Sequence, residues 1–109
     1  MIVFFRVDAS LAIGFGHLVR SLSLAKTLQK LNGNQKVVFI LNNSQVAFDL
    51  VKSAGFEIVI IEENQKEESF LLRYFAQREK SVVVFDNLTE YSVEFIKQLT
   101  NSHLTVMMH

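Results

Sequence analysis

The sequence predicts an α/β fold in which one parallel sheet is covered by helices on both faces. Five short apolar runs alternate with four stretches whose apolar residues recur at three- and four-residue spacing, the pattern of strands and amphipathic helices in turn. The runs are continuously apolar rather than alternating, as strands buried on both faces of a parallel sheet must be. Half of the 109 residues are hydrophobic and only 20% are charged, which is enough for one core and too apolar for disorder.

The elements follow in order. Ile2 to Val7 is a β-branched and aromatic run that stops where Asp8, Ala9 and Ser10 begin a turn. From Gly16 to about Asn32, Leu18, Leu22 and Ala25 recur at helical spacing with Leu24, Leu28 and Leu31 beside them, and Asn32 with Gly33 predicts a left-handed stop. Lys36 to Leu41 is the second strand. Ser44 then caps a helix whose Val46, Ala47, Leu50, Val51 and Ala54 share a face, and Gly55 ends it. Glu57 to Ile61 is the third strand. The charged stretch from Glu62 to Glu68 reads as a solvated loop leading into a helix with Phe70, Leu71, Tyr74 and Phe75, because acids favour a helix N-terminus. Ser81 to Phe85 is the fourth strand, residues 86–89 a loop, and Val93, Ile96 and Leu99 the buried stripe of the last helix. Leu104 to Met108 is the fifth strand. Right-handed crossovers then give a Rossmann-like three-layer α/β/α sandwich with strand order 3-2-1-4-5.

Composition removes several functional classes. Eleven basic residues balance eleven acidic ones, so a strongly basic nucleic-acid binder is excluded. Cysteine is absent, which removes disulfides, thiolate nucleophiles and cysteine-held metals and suits a reducing compartment. The first residues lack a basic leader region, Arg6 and Asp8 interrupt their apolar run, and no stretch approaches the ~20 apolar residues of a membrane span. The chain therefore reads as soluble and cytoplasmic, with no membrane or nucleic-acid partner. It ends on Met107, Met108 and His109 at the carboxyl end of a strand, where a doubly wound fold continues, so residues 1–109 read as one domain of a larger architecture. A fifth strand left at the sheet edge is a template for homo-oligomer formation.

Ligands of such sheets sit beyond the carboxyl ends of the strands, at the point where strand order reverses. That rule places residues 8–17, 86–89 and His109 on one rim. Gly14 and Gly16 follow the first strand and open the first helix, so backbone N–H groups there can approach a phosphate; the same glycines would also serve a tight turn. The dinucleotide fingerprint needs Gly or Ala where Val19 stands and an acid where Asn42 and Asn43 stand, which disfavours NAD. His17 opens the helix and could act as a general base or simply bond a neighbouring loop. Arg20, three residues on, shares its face and could hold a carboxylate or phosphate, or lie in solvent. Asp8 could accept from sugar hydroxyls, orient His17, or cap the turn. Asp86 and Asn87 end the fourth strand on the same rim, and residues of this kind also cap helices. His103 lies at the opposite rim and reads as structural. No pair of histidines has metal-ligand spacing.

From Arg6 to Ala25 the sequence reads R-x-D-x-S-x-x-I-G-x-G-H-x-x-R-x-x-x-L-A, with Arg6, Asp8, Ser10, Ile13, Gly14, Gly16, His17, Arg20, Leu24 and Ala25 at the fixed positions. This stretch resembles the opening of the nucleotide-sugar hydrolases of pseudaminic acid biosynthesis and their spore coat polysaccharide relatives. The rest of the chain agrees in element order only. The resemblance implies the N-terminal half of a two-domain GT-B glycosyltransferase-like fold whose C-terminal nucleotide-binding domain is absent here. It implies release of UDP from a UDP-diacetamido-trideoxy sugar, with water attacking the anomeric carbon and neither metal nor cofactor. Carried over by residue, His17 would activate the water, and Gly14, Phe15 and Gly16 would form the loop beside the substrate. Asp8, Ser10, Arg20 and Asp86 match positions around that loop. Two alternatives share the pattern: the acceptor domain of a GT-B glycosyltransferase, with His17 deprotonating a sugar hydroxyl, and a non-catalytic binding module.

Overall fold

A computed structural model describes residues 1–108. Strands β1 (Ile2–Val7), β2 (Lys36–Asn42), β3 (Glu57–Ile61), β4 (Val82–Asp86) and β5 (Leu104–Met107) alternate with helices α1 (Gly16–Leu31), α2 (Gln45–Ser53), α3 (Glu67–Ala76) and α4 (Val93–Thr100). All four strand pairings are parallel and the order is β3-β2-β1-β4-β5, the expected doubly wound arrangement. No helix among the described residues is long and apolar enough to cross a membrane.

The aromatic pair in β1 shows how the sheet divides its core. Successive side chains point to opposite faces, so Phe5 stacks on Phe39 beneath α1 and α2, with ring centroids 5.2 Å apart. Phe4 meets the edge of Phe75 beneath α3 and α4 at 4.9 Å. Both rings are fully buried, and each large aromatic removed from water stabilises the fold by roughly 1.5–3 kcal/mol.

Several local expectations need correction. β2 runs one residue further than Leu41, to Asn42, and β4 spans Val82–Asp86 rather than Ser81 to Phe85. Asp86 thus belongs to the sheet, opposite Val7. β5 stops at Met107, and His109 lies outside the described residues. Asn32 ends α1 in an extended conformation, its N–H bonded to the Leu28 carbonyl, and Gly33 is not left-handed; Gly14 and Gly55 are the glycines with positive φ. Helix faces are narrower than the apolar pattern suggested. Ala47 and Val51 are the buried residues of α2 while Val46 and Leu50 flank them in solvent. In α4, Phe95 and Leu99 one turn apart fill the core, and Val93 is exposed at the first turn.

Strand order reverses between β1 and β4. The loops leaving their carboxyl ends, residues 8–15 and 87–92, therefore lead to helices on opposite faces of the sheet.

Candidate functional site

Beyond β1 the chain makes a closed turn. Gly14 N–H donates to the Ser10 carbonyl at 2.7 Å, and Ile13 N–H donates to Ser10 Oγ at 3.1 Å. Gly14 holds φ at +90°, which a side chain resists, so glycine there is a backbone requirement. Gly16 differs: its φ is not positive and a Cβ would meet nothing within 4 Å, so the turn does not require glycine there. Asn42 anchors the start of the loop. It accepts from Ala9 N–H at 3.0 Å and donates to the Ala9 carbonyl at 3.1 Å. Phe15 packs against the core beneath α1 and delivers the chain into the helix.

The first turn of α1 has neither a side-chain cap nor an acidic residue. The first intrahelical acceptor is the Phe15 carbonyl, taken by Val19 N–H, and no partner is found among the described residues for the N–H groups of Gly16, His17 and Leu18. A helix start in this condition favours an anion.

His17, Arg20 and Ser21 lie on one face of α1 and converge on Asp86, which is fully buried at the end of β4. His17 Nδ1 is 2.7 Å from Asp86 Oδ1. Arg20 donates from Nε to Oδ2 at 3.1 Å and from Nη2 to Oδ1. Ser21 Oγ donates to Oδ2 at 2.9 Å. Arg20 Nη2 also lies 3.5 Å from His17 Nδ1. Since an ionised carboxylate only accepts, the proton sits on Nδ1 and the approach of Arg20 to that nitrogen is proximity alone. Burial would raise the Asp86 pKa, but the hydrogen bonds from Arg20, His17 and Ser21 outweigh it and hold the carboxyl below its ordinary range.

A histidine held in this way presents its other nitrogen. Nε2 of His17 makes no hydrogen bond among the described residues, and the side chain is 29% exposed. Asp86 fixes the Nδ1–H tautomer and would stabilise the imidazolium formed when Nε2 takes a proton, the role of the carboxylate in a nucleophile–histidine–acid triad.

A second polar cluster occupies the opposite face of the same rim. Arg6, nearly fully buried in β1, forks onto Glu67 with Nε–Oε2 at 3.0 Å and Nη2–Oε1 at 2.9 Å. Asp8 Oδ1 lies 2.7 Å from Arg6 Nη1, which donates to the Val7 carbonyl at 2.9 Å. Tyr91 donates its hydroxyl to Glu67 and accepts from Asn87 Nδ2 at 2.8 Å. Burial works to lower the Arg6 pKa, yet its acidic partners raise it above the ordinary value; burial pushes the Tyr91 phenol upward. A cleft of about 280 Å³ opens over this cluster, bounded by Asp8, Ile13, Asn42, Glu62 and Glu67.

The structure therefore brings His17, Arg20 and Asp86 together and leaves Asp8 apart. Asp8 faces Arg6, and Asp86 is the carboxylate that orients His17. The carboxylate that Arg20 holds is an internal one. Neither Asp86 nor Asn87 caps α4, because Ser92 does so by accepting from Phe95 N–H. His103 is structural as expected: Nδ1 accepts from Ser81 N–H at 3.1 Å and Nε2 lies 3.0 Å from the Phe75 carbonyl. Sequence reading missed Ser21, although it stands four residues after His17 and so on the same face. It also passed over Arg6 as a charge inside a buried strand, a position that demands a partner.

Comparison with known proteins yields a partial likeness. The chain is 28% identical over 81 residues, 74% of its length, to "Uncharacterized protein MJ1062" of Methanocaldococcus jannaschii, and the match covers 16% of that protein. No family model and no solved structure matches.

Proposed function

We propose that the chain carries the general base of a nucleotide-sugar hydrolase, with His17 Nε2 taking the proton from the attacking water. The observation that carries this reading is the 2.7 Å contact between His17 Nδ1 and buried Asp86. Buried Asp86 holds the Nδ1 proton, and Nε2 has no partner among the described residues and lies beside a helix start suited to an anion. In the step, the water oxygen bonds to the anomeric carbon as the bond from that carbon to the diphosphate oxygen breaks. The proton passes to Nε2, and UDP leaves with the bonding electrons. Asp86 stabilises the resulting imidazolium.

The resemblance of residues 6–25 supports UDP-sugar as the substrate class and bacterial surface or spore coat polysaccharide synthesis as the setting. It also supports a second α/β domain that grips the diphosphate. Leu11 and Leu88, on the loops that follow β1 and β4, are 93% and 72% exposed, which agrees with a rim that another surface covers. On this reading residues 1–109 alone neither turn over nor tightly bind a UDP-sugar, because a good site buries about 70% or more of its ligand.

The test uses the two-domain polypeptide, a UDP-diacetamido-trideoxy sugar and ¹⁸O-labelled water, without an acceptor. UDP release with the label in the free sugar is expected. Label in UDP instead, or release that requires an acceptor sugar, would replace the hydrolase by a phosphate-cleaving enzyme or a glycosyltransferase.

A further inference from the structure

We infer that Ser21 is a positioning residue of this site: its hydroxyl pins Asp86 so that the carboxylate holds His17 in the Nδ1–H tautomer. The inference rests on the reading of His17 as the base, and it begins from an anomaly in α1. Ser21 is fully buried on a face otherwise made of Leu18, Leu22 and Ala25. A buried hydroxyl without a partner costs roughly 1–3 kcal/mol, and a helical serine ordinarily satisfies itself on the carbonyl four residues back. This one reaches across to the sheet and donates to Asp86 Oδ2 at 2.9 Å.

Two donors compete for the role of anchor. Arg20 carries a charge and reaches both carboxylate oxygens, but its side chain is 47% exposed, long and screened by solvent. It governs the charge state of Asp86 more than its orientation. Ser21 has one rotatable bond, stands on the backbone of a packed helix, and joins a carboxylate that stands on the backbone of a central strand. With Oδ2 fixed by Ser21, Oδ1 is presented to Nδ1 of His17 one helical turn earlier. A carboxylate held by Arg20 alone can turn, and the imidazole is then free to place its proton on Nε2, where it can no longer accept one from water.

The experiment reads the ring nitrogens of His17 by long-range ¹H–¹⁵N correlation in the 109-residue chain at about pH 8, above the ordinary imidazole range. The native chain is expected to give a single tautomer with the proton on Nδ1. Ser21→Ala removes the donor, and Ser21→Cys keeps nearly the same volume with a poor donor. Both should give a mixture of tautomers while circular dichroism and the melting temperature show a folded chain. A pure packing role predicts the native tautomer in the Cys variant, and that result would overturn the inference, as would a native chain protonated on Nε2. In the two-domain polypeptide both variants should lose roughly 10- to 100-fold in kcat with KM unchanged, the range known for outer hydrogen bonds that orient a functional histidine at metal sites. A native enzyme that fails to hydrolyse UDP-sugars would remove the hydrolase reading, while the tautomer would still decide the role of Ser21.

Discussion

Asp86 concentrates the electrostatics of the site on one side chain. Three donors reach a carboxylate that is fully buried, and hydrogen bonds to a charged group contribute more than neutral ones, although solvent screens the share of half-exposed Arg20. The folded-state pKa lies below the ordinary value of 3.8, so this stabilisation is present at neutral pH and is lost as acid carries the solution down through the folded value. Arg20→Met removes the first of the bonds that oppose burial, and the pKa of Asp86 then rises. The variant should consequently be less stable at neutral pH and lose less of its stability on acidification, because the loss begins at the unfolded-state value, which the substitution leaves unchanged. Melting temperatures measured from about pH 3 to 7 check this, and superimposable curves would show that Arg20 does not hold the carboxylate. Much of this residue-level arrangement was legible in the sequence. His17 and Arg20 at helical spacing and Asp86 after the fourth strand mark one rim. The choice of carboxylate was not legible, because Asp8 and Asp86 both stand at strand ends and only the register of β1 with β4 decides which of them faces α1.

At the scale of elements, the loop from β1 into α1 uses its two glycines differently. Gly14 occupies a left-handed conformation that costs an ordinary residue about 1–2 kcal/mol. Gly16 has ordinary dihedrals, open space around it, and a helical position where Ala is favoured by up to ~1 kcal/mol. Gly14→Ala should therefore lower the unfolding free energy by about 1–2 kcal/mol, and Gly16→Ala should leave it unchanged or raise it. Denaturant titration distinguishes them; equal losses would mean that both positions serve the turn. The helix and strand order followed from periodicity because each element buries a continuous face. Burial limits were less legible. Leu24, Leu31, Val46, Leu50 and Val93 are apolar yet exposed, since a helix lying on a sheet covers only a narrow arc. The stop of α1 was misread because Asn32 ends the helix in extended geometry, which needs no glycine.

For the whole molecule, the doubly wound topology sets two polar clusters back to back on either side of β1 and β4. Arg6 and Glu67 support the face of α3 and α4, and Asp86 and His17 occupy the face of α1. The sheet is well covered at its centre and poorly at β5, where Leu104, Val106 and Met107 are all exposed. An edge of this kind pairs with another edge. We propose concentration-dependent self-association of the chain, reversed by Val106→Lys. Sedimentation velocity checks it, and a monomer at all concentrations would mean that the edge is protected. On the proposed reading a single base, His17, acts on a nucleotide sugar, and the most direct measurement is the rate of UDP release by the proposed two-domain polypeptide with His17 and with His17→Ala. Loss of a positioned general base should lower kcat by roughly 10²- to 10⁴-fold while circular dichroism still shows a folded protein, its melting temperature lowered by the lost His17–Asp86 hydrogen bond. Turnover that survives within a few fold of native would contradict the assignment and move the base elsewhere.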